Sequence, residues 1–258
     1  MNSRVKECFK RRAYDEVNLM RNILDNKDRA LTYDALFSSA NKAAKFNYAL
    51  ITTADSYESL DQRLAASDIV PLPDGDKREQ DVLKFFEYQS IDVIKFATFF
   101  WAWLYGKTGR RNVLRLLGSP GTGKSTLASI IARPFICEYF TMPNLRGEFK
   151  WEGMLNKELI VWEEPLIVAD TAQDCKRIMA GDNITVPAKY KGRQTLIRTP
   201  ILMTTNHQNI MTGTQRIEDE RALQERVKDF AVGRKWDITQ GLLTSEGFYS
   251  VMFKARPK

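Results

Sequence analysis

A glycine-rich loop that starts at Gly118 is the segment whose residue types and spacing most directly specify chemistry. The residues that could bind an anion there are Gly118, Ser119, Pro120, Gly121, Thr122, Gly123, Lys124, Ser125 and Thr126. They fit the pattern GxxxxGK[ST], whose glycines let backbone N–H groups turn toward phosphates. Lys124 would reach the β- and γ-phosphates, and the Ser125 hydroxyl would bind Mg²⁺. A chance glycine turn is the alternative, but the apolar segment Val113–Leu117 before the loop and the helical pattern after it favour ATP binding.

Two adjacent carboxylates, Glu163 and Glu164, follow the apolar segment Leu159–Trp162. Four consecutive apolar residues are typical of a strand buried on both faces, and adjacent side chains at its end point to opposite sides. Glu163 could bind the hydrated Mg²⁺, while Glu164 accepts a proton from the attacking water. An acidic turn ended by Pro165 is the alternative. Together with the phosphate loop, the pattern predicts hydrolysis of the nucleotide.

Two later segments could complete such a site. The apolar segment that starts at Pro200 ends in Asn206, whose amide could sense the γ-phosphate or orient the water. An ordinary turn is the other interpretation of this residue. Arg226 lies in a helical segment that leads into the strand-like apolar residues Phe230–Val232. It is a candidate arginine finger, with a surface ion pair on the helix as its alternative. His207, the single histidine of the chain, is interpreted as a loop residue because phosphoryl transfer needs no such base here.

A basic segment between two short alternating stretches is typical of a hairpin. The turn at 181–183 precedes residues 184–196, which alternate enough to form two short strands. The residues at its tip that could bind DNA are Lys189, Tyr190, Lys191 and Arg193. Cations follow phosphates and a tyrosine ring can stack on a base, which suits a single nucleic acid strand. A solvated basic loop is the alternative.

The elements that must position these residues follow from apolar periodicity. Before Gly106 the pattern is helical, with a Pro- and Gly-rich connection at 71–76 and a break near Gln89 between two buried helices. Asp76, followed by Glu79, could begin the first of these helices as a capping box. After Gly106, strands at Val113–Leu117, Leu159–Trp162 and Pro200–Thr204 alternate with helical segments. The predicted helices there are Lys124–Ala132 and Thr171–Met179. This order predicts an α/β fold with a central parallel sheet flanked by helices, preceded by a small N-terminal helical bundle.

Composition excludes several other classes of protein. The three cysteines are widely spaced, and one histidine cannot form a histidine metal cluster or a two-histidine nuclease site. The apolar segment Phe96–Tyr105 is far shorter than the ~20 residues of a membrane span, so we expect a soluble intracellular protein without membrane contact. Residues 1–80 carry equal numbers of acidic and basic side chains, so the net charge of +7 falls on residues 81–258. A polyanionic partner should therefore meet that part.

These motifs, taken in order, resemble the helicase domain of the large non-structural replication protein of parvoviruses, within the superfamily 3 helicases of the AAA+ ATPases. The resemblance extends from about Thr108 to Val232. Its family-specific parts are Trp162-Glu-Glu-Pro165 and the segment from Ala180-Gly-Asp-Asn183 through Lys189-Tyr-Lys191. The phosphate loop by itself would not separate this family from other P-loop ATPases.

The resemblance implies an ATP- and Mg²⁺-dependent DNA helicase of 3′ to 5′ polarity, located in the host nucleus and acting on single-stranded and replication-fork DNA. It implies a homo-oligomeric ring, usually a hexamer, in which Arg226 enters the ATP site of the neighbouring subunit. Lys189 and Lys191 would project into the central channel. Residues 1–75 would form an oligomerisation collar, and residues 76–258 the AAA+ ATPase core with a C-terminal tail.

One departure from the family concerns origin nicking. Such proteins usually carry an N-terminal endonuclease that uses a pair of histidines, and no histidine precedes His207 in this sequence. We therefore assign no nicking activity to these residues. Two other kinds of function stay open. The first is an ATP-driven translocase or packaging motor, or a helicase that prefers RNA. The second is an assembly module that binds nucleic acid and uses ATP only at its interfaces. Glu164 argues against the assembly module, because a binder needs no general base.

Overall fold

The computed structural model describes residue 64 and residues 69–140, 147–189, 192–212 and 217–256. The chain divides into two compact units, Met1–Val70 and Pro71–Lys258. The predicted collar, residues 1–75, lies almost entirely outside the described residues, so it stays a prediction. Among the described helices, none has the length and apolar character needed to cross a bilayer.

The described part of the second unit is built from six helices and seven strands. The helices are α1 (Lys77–Tyr88), α2 (Val93–Leu104), α3 (Lys124–Ala132), α4 (Ala169–Ala180), α5 (Ile217–Gln224) and α6 (Ser245–Lys254). The strands are β1 (Val113–Leu117), β2 (Cys137–Phe140), β3 (Leu159–Glu163), β4 (Ile184–Ala188), β5 (Gly192–Leu196), β6 (Ile201–Thr205) and β7 (Val227–Ala231). Helices and strands alternate through the core, which confirms the predicted α/β class.

Five strands form one parallel sheet in the order β2-β3-β6-β1-β7. Strand β6 pairs with β1 on one side and with β3 on the other. Parallel strands end at the same edge of a sheet, so the segments that follow β1, β3 and β6 meet at the carboxyl edge. The sheet thereby brings the phosphate loop, the acidic pair and Asn206 to one place, which is the arrangement that the sequence predicts.

Helices cover both faces of the sheet because its central strands are apolar on both sides. On one face, α4 and α5 enclose a cluster that includes Trp162, Ile178 and Met203. The other face holds an aromatic cluster in which Phe96 and Phe100 of α2 contact Phe248 of α6. These contacts explain the dense apolar pattern of α2, since nearly every turn of that helix packs against rings of another element.

Local signals fix the first two helices. The Asp76 side chain accepts a hydrogen bond from the Arg78 N–H and begins α1, as predicted. Glu79 does not reciprocate as a capping box would; its carboxylate pairs with the Lys254 ammonium at 2.8 Å. Ser90, with φ of 58°, separates α1 from α2, and Asp92 caps α2 through the Lys95 N–H. The predicted break between two buried helices is confirmed.

Some elements differ from their predicted bounds. Strand β7 starts at Val227, directly after Arg226, whereas the apolar pattern indicated only Phe230–Val232. Pairing with β1 explains the longer strand, because tertiary hydrogen bonds extend it over Lys228 and Asp229. Strand β2 and helix α6 were not predicted. The β2 residues alternate weakly at a sheet edge, where one strand neighbour is enough to hold them.

A buried arginine in the middle of β1 interrupts the apolar pattern of the sheet. The Arg115 side chain is fully buried and forms two hydrogen bonds to the Asp229 carboxylate, of 2.6 and 2.8 Å. It also donates to the Gln208 carbonyl at 3.0 Å and to Gln224 Oε1 at 2.9 Å. The guanidinium therefore joins β1, β7, α5 and the loop after β6 in one network.

We expect Arg115→Ala to lower the free energy of unfolding by about 3 kcal/mol, because it leaves a carboxylate and a carbonyl without their partner. Urea unfolding followed by circular dichroism measures this change. Lys77→Ala is the matched control: that lysine is largely exposed and pairs with Asp81 on the surface of α1, so its loss should cost about 0.5 kcal/mol or less. Equal effects of the two substitutions would contradict the structural role of Arg115.

Candidate functional site

The phosphate loop joins the end of β1 to the start of α3, as the motif requires. Gly121 and Gly123 have φ of 76° and 90°, in the left-handed region that favours glycine. Gly118 is needed for a different reason: a Cβ atom there would lie 1.9 Å from the Val232 carbonyl oxygen. The loop is therefore held closely against the end of β7, while Ser119 and Pro120 are exposed.

Lys124 lies at the centre of the loop. Its ammonium donates to the carbonyl oxygens of Gly118 and Ser119, both at 2.7 Å, and to Asn206 Oδ1 at 2.9 Å. The side chain is buried, and burial lowers the pKa of Lys124, while the nearby Glu164 carboxylate acts in the opposite direction. A cation is thus fixed where the loop turns, within hydrogen-bond distance of a residue from β6.

The two carboxylates follow β3 in different ways. Glu163 is the last residue of the strand and is half-buried. Glu164 has φ of 44° and turns out of the strand, so the turn, and not strand alternation, sets its direction. Its Oε2 accepts hydrogen bonds from the Thr205 hydroxyl at 3.3 Å and the Asn206 N–H at 3.2 Å. The carboxylate is therefore anchored on the end of β6, beside the residue that contacts Lys124.

Lys124, Glu164 and Asn206 thus come together, although they are far apart in the sequence. Ser125 and Thr126 lie exposed in the first turn of α3, where backbone N–H groups and the positive end of the helix dipole favour an anion. His207 follows as a loop residue, and its N–H donates to Thr205 Oγ1. A positively charged cradle beside an anchored carboxylate can bind a triphosphate and accept a proton next to it.

Arg226 is not part of this cluster within its own chain. It precedes β7, and its carbonyl accepts a hydrogen bond from the N–H of Val113, the first residue of β1. It therefore lies at the amino edge of the sheet, opposite the phosphate loop. Its guanidinium is buried and donates to the carbonyls of Lys176 and Ala222. Burial, with a smaller effect of Arg110, lowers the pKa of Arg226. The surface ion pair weighed as an alternative is therefore wrong.

The basic hairpin has the predicted strands. Strands β4 and β5 pair antiparallel, with Ala188 opposite Gly192. Lys189 is exposed; its N–H donates to the Glu152 carboxylate at 3.2 Å, and its ammonium lies 5.9 Å from the centre of the Phe149 ring. Arg193 is exposed on β5. Tyr190 and Lys191 lie outside the described residues, so the structure brings only two of the four predicted residues into view.

Sequence reasoning missed a group of residues beside the phosphate loop. The backbone N–H of Trp236 donates to the Gly121 carbonyl at 3.1 Å, and the Gln89 side-chain amide donates to the Thr122 carbonyl at 3.4 Å. Phe85 packs against the backbone of Gly123. These residues come from α1 and from the segment after β7, and no motif links two segments so distant in sequence. The available signal in the sequence was the tryptophan at position 236, which follows the last apolar segment of the core.

A parallel sheet of this order, with a phosphate loop after one strand and carboxylates after another, defines an α/β protein with an AAA+-like P-loop core. The chain belongs to the family of parvovirus non-structural protein NS1, whose family model matches residues 26–246. It is 29% identical over 180 residues to protein Rep52 of adeno-associated virus 2, covering 67% of this chain and 44% of Rep52.

Two further comparisons concern a viral initiator protein and a solved helicase structure. The chain is 27% identical over 171 residues to initiator protein NS1 of human parvovirus B19, covering 65% of this chain and 25% of that protein. The X-ray structure of JCV helicase is similar with a TM-score of 0.56 and 13% identity, covering 92% of this chain and 77% of that chain. The chain thus spans less than half the length of Rep52 and of the B19 initiator protein. The likeness to JCV helicase concerns the fold.

Proposed function

We propose that this chain is the ATP-hydrolysing helicase part of a viral DNA replication protein. The observation that carries the proposal is the junction of Lys124, Asn206 and Glu164 at the carboxyl edge of the sheet. It combines a phosphate-binding cation with an anchored carboxylate, which nucleotide hydrolysis needs. Relatives named initiator protein and helicase support the choice of DNA replication over other uses of a P-loop.

The residues present fit ATP and Mg²⁺. The exposed first turn of α3 and the left-handed glycines form an anion cradle, and Ser125 and Glu163 offer oxygen ligands. Among the described residues no group of three or more acidic, cysteine or histidine side chains could hold a metal by itself. That suits Mg²⁺, which proteins usually bind through one or two ligands together with substrate phosphates and water. When bound, the ion would neutralise charge on the phosphates.

Each residue of the site would have one role. Lys124 leaves its two loop carbonyls and contacts the β- and γ-phosphates, because phosphate oxygens are stronger acceptors for an ammonium. Glu164 accepts the proton of the attacking water, held in position by Thr205 and the backbone of Asn206. The Asn206 amide, released by Lys124, senses the γ-phosphate. The loop residues Gly118 to Gly123 supply backbone N–H groups.

The remaining positive charge at the ATP site would come from a second copy of the chain. Arg226 lies at the edge of the sheet opposite the loop, so it can reach only the site of a neighbouring subunit. This geometry supports a homo-oligomeric ring, which we propose to be a hexamer. To act there, the guanidinium would leave the carbonyls of Lys176 and Ala222, where its pKa is lowered by burial. A transition-state phosphate would repay that loss through charge-assisted hydrogen bonds.

The basic hairpin is the proposed contact with DNA. Exposed Lys189 and Arg193, with Tyr190 and Lys191 at the tip, would hold one strand in the channel of the ring. We further propose 3′ to 5′ movement at replication forks in the host nucleus. The net charge of +7, which falls on residues 81–258, supports a nucleic acid partner.

Two assays test the proposed function. Phosphate release from ATP, with and without single-stranded DNA, measures the coupled ATPase, and displacement of a labelled strand from forked DNA measures unwinding. DNA-stimulated hydrolysis with ATP-dependent displacement is expected. DNA-stimulated hydrolysis without strand displacement would instead favour a translocase or packaging motor. If the chain displaced a strand from a forked RNA substrate but not from forked DNA, an RNA helicase would be favoured. No hydrolysis under any of these conditions would contradict the proposal.

Lys189→Ala combined with Lys191→Ala should weaken binding of single-stranded DNA about tenfold at low salt and make it less salt-dependent, because two phosphate contacts are lost. Fluorescence anisotropy of a labelled oligonucleotide at two salt concentrations measures both effects. ATP hydrolysis without DNA should stay unchanged. Lys95→Ala, which removes an exposed lysine of α2, is the matched control and should bind DNA like the unaltered chain. Equal affinities for all three proteins would remove the hairpin from the DNA site.

A further inference from the structure

The phosphate loop has an aromatic wall on one side, in which the half-buried Trp236 contacts the half-buried Tyr88 and the fully buried Phe85. We propose that the base of the bound nucleotide packs against this wall, with the half-buried Trp236 as its main contact. The inference rests on the proposed ATP site and adds the part that the phosphate-binding motif does not specify. A nucleotide held at its phosphates must place its base beside the loop, and an accessible aromatic face there provides a stacking surface.

Contacts of backbone and ring tie the wall to the loop. The backbone N–H of Trp236 donates to the Gly121 carbonyl at 3.1 Å. The Trp236 Cβ lies 3.7 Å from the position that a Cβ on Gly123 would occupy. The Trp236 ring meets the Phe85 ring edge-on, with centres 5.2 Å apart, and the Tyr88 ring at 5.7 Å. The tryptophan is therefore held in contact with loop residues that would bind the phosphates.

A second set of hydrogen bonds braces this segment. The buried Gln89 amide donates to the Arg234 carbonyl at 2.6 Å and accepts from the Arg234 N–H at 2.9 Å. The Arg234 guanidinium donates to the Tyr88 carbonyl at 2.8 Å and lies 5.7 Å from the centre of the Tyr88 ring. Both ends of the Gln89 amide are thereby hydrogen-bonded to the Arg234 backbone. The amide therefore holds the segment that carries Trp236 in place and does not recognise the edge of a base.

This arrangement has a consequence for nucleotide choice. Stacking depends on the π-face that every base has, whereas discrimination between bases needs hydrogen bonds to their edges. The wall offers aromatic surface, and the buried Gln89 amide that braces it is already hydrogen-bonded at both ends. We therefore expect ATP and GTP to bind with affinities within about fivefold of each other, because stacking tolerates any base.

The experiment compares nucleotides with inorganic tripolyphosphate on the full chain. Trp236→Leu keeps an apolar side chain against Phe85 but removes the aromatic face, so ATP binding should weaken about tenfold while tripolyphosphate binding stays unchanged. Isothermal titration calorimetry gives both dissociation constants. Tyr105→Leu is the matched control, because this partly exposed aromatic residue follows α2 and contacts Trp101 and Arg256, which are not part of the phosphate loop. It should bind both ligands like the unaltered chain.

Intrinsic fluorescence supplies a second readout. The other four tryptophans, at positions 101, 103, 151 and 162, are at most 3% exposed, so a change in emission on adding ATP reports mainly on Trp236. ATP should quench the emission, tripolyphosphate should not, and Trp236→Leu should abolish the quenching. If the variant lost both ligands equally, Trp236 would only support the loop; if it kept full ATP affinity, the base would lie elsewhere. Failure of the unaltered chain to bind either ligand would instead overturn the proposed function.

Discussion

Replacing Arg226 with alanine should lower the rate of ATP hydrolysis by about 10³- to 10⁵-fold, the range that arginine fingers contribute. The proposed reason is that this guanidinium stabilises charge on the phosphates of the neighbouring subunit. ATP affinity should change far less, because the phosphate loop of each subunit stays intact. Steady-state phosphate release gives the rate, and equilibrium binding of ATP gives the affinity.

A mixing experiment tests whether the arginine acts between subunits. Arg226→Ala and Lys124→Ala proteins are each expected to be inactive alone. Mixed in equal amounts, they should recover part of the activity, because an intact loop from the first variant meets an intact arginine from the second. Recovery has no explanation if both residues serve the same subunit, so a mixture as inactive as its components would contradict the proposed ring.

The control for this prediction is on the same helical segment. Arg221 of α5 is largely exposed and pairs with the exposed Glu225, so Arg221→Ala should hydrolyse ATP normally. Because Arg226 is buried, its replacement also removes hydrogen bonds to two backbone carbonyls. Urea unfolding of the variant therefore accompanies the kinetics. A variant that is unfolded at the assay temperature would be replaced by Arg226→Lys, which keeps a charge but not the planar fork of the guanidinium.

Glu164→Gln should lower the hydrolysis rate about 10²- to 10⁴-fold, since an amide cannot accept the proton of the attacking water. The amide oxygen can still accept hydrogen bonds from Thr205 and the Asn206 N–H, so the site should keep its shape. Binding of ATP should therefore remain within about threefold of that of the unaltered chain, as expected when only transition-state stabilisation is lost. Single-turnover hydrolysis measures the chemical step directly.

Glu163→Gln is the matched comparison, because it removes the neighbouring carboxylate. If Glu163 binds Mg²⁺, this variant should need a higher magnesium concentration and recover activity when it is supplied. Glu164→Gln should not recover at any concentration. The opposite pattern, in which magnesium rescues Glu164→Gln, would exchange the two assigned roles. If both variants hydrolysed ATP at the normal rate, neither carboxylate would serve the reaction.

Local signals predicted much of the core. The observed bounds of β1 and α3 are those predicted, because the apolar run before the loop and the helical pattern after it are both local. The carboxyl-edge cluster was also predictable, since parallel strands bring their ends together. The edge strand β2, with Tyr139 about half exposed, lacks an apolar run, so only its pairing with β3 reveals it.

Features that depend on distant pairings could not be predicted. The burial of Arg115 depends on Asp229, which lies 114 residues later and becomes its neighbour only because β7 pairs with β1. The position of Arg226 follows from the true start of β7, which the apolar pattern placed too late. The contact of Trp236 with the phosphate loop likewise joins segments with no common motif. In each case the sequence contains the residues but not the topology that brings them together.

Strand β7 connects the two places where ATP chemistry is proposed. Arg226 stands at its beginning, and at its end the Val232 N–H donates to Leu117 while its carbonyl leaves no room for a side chain on Gly118. Because β7 is held by neighbouring residues at both ends, a displacement of one end would be transmitted to the other. In a ring, a pull on Arg226 by the neighbour's nucleotide would move the loop that grips a subunit's own nucleotide. Successive subunits would then hydrolyse ATP in order. Because the sites would be coupled, the hydrolysis rate would rise sigmoidally with ATP concentration.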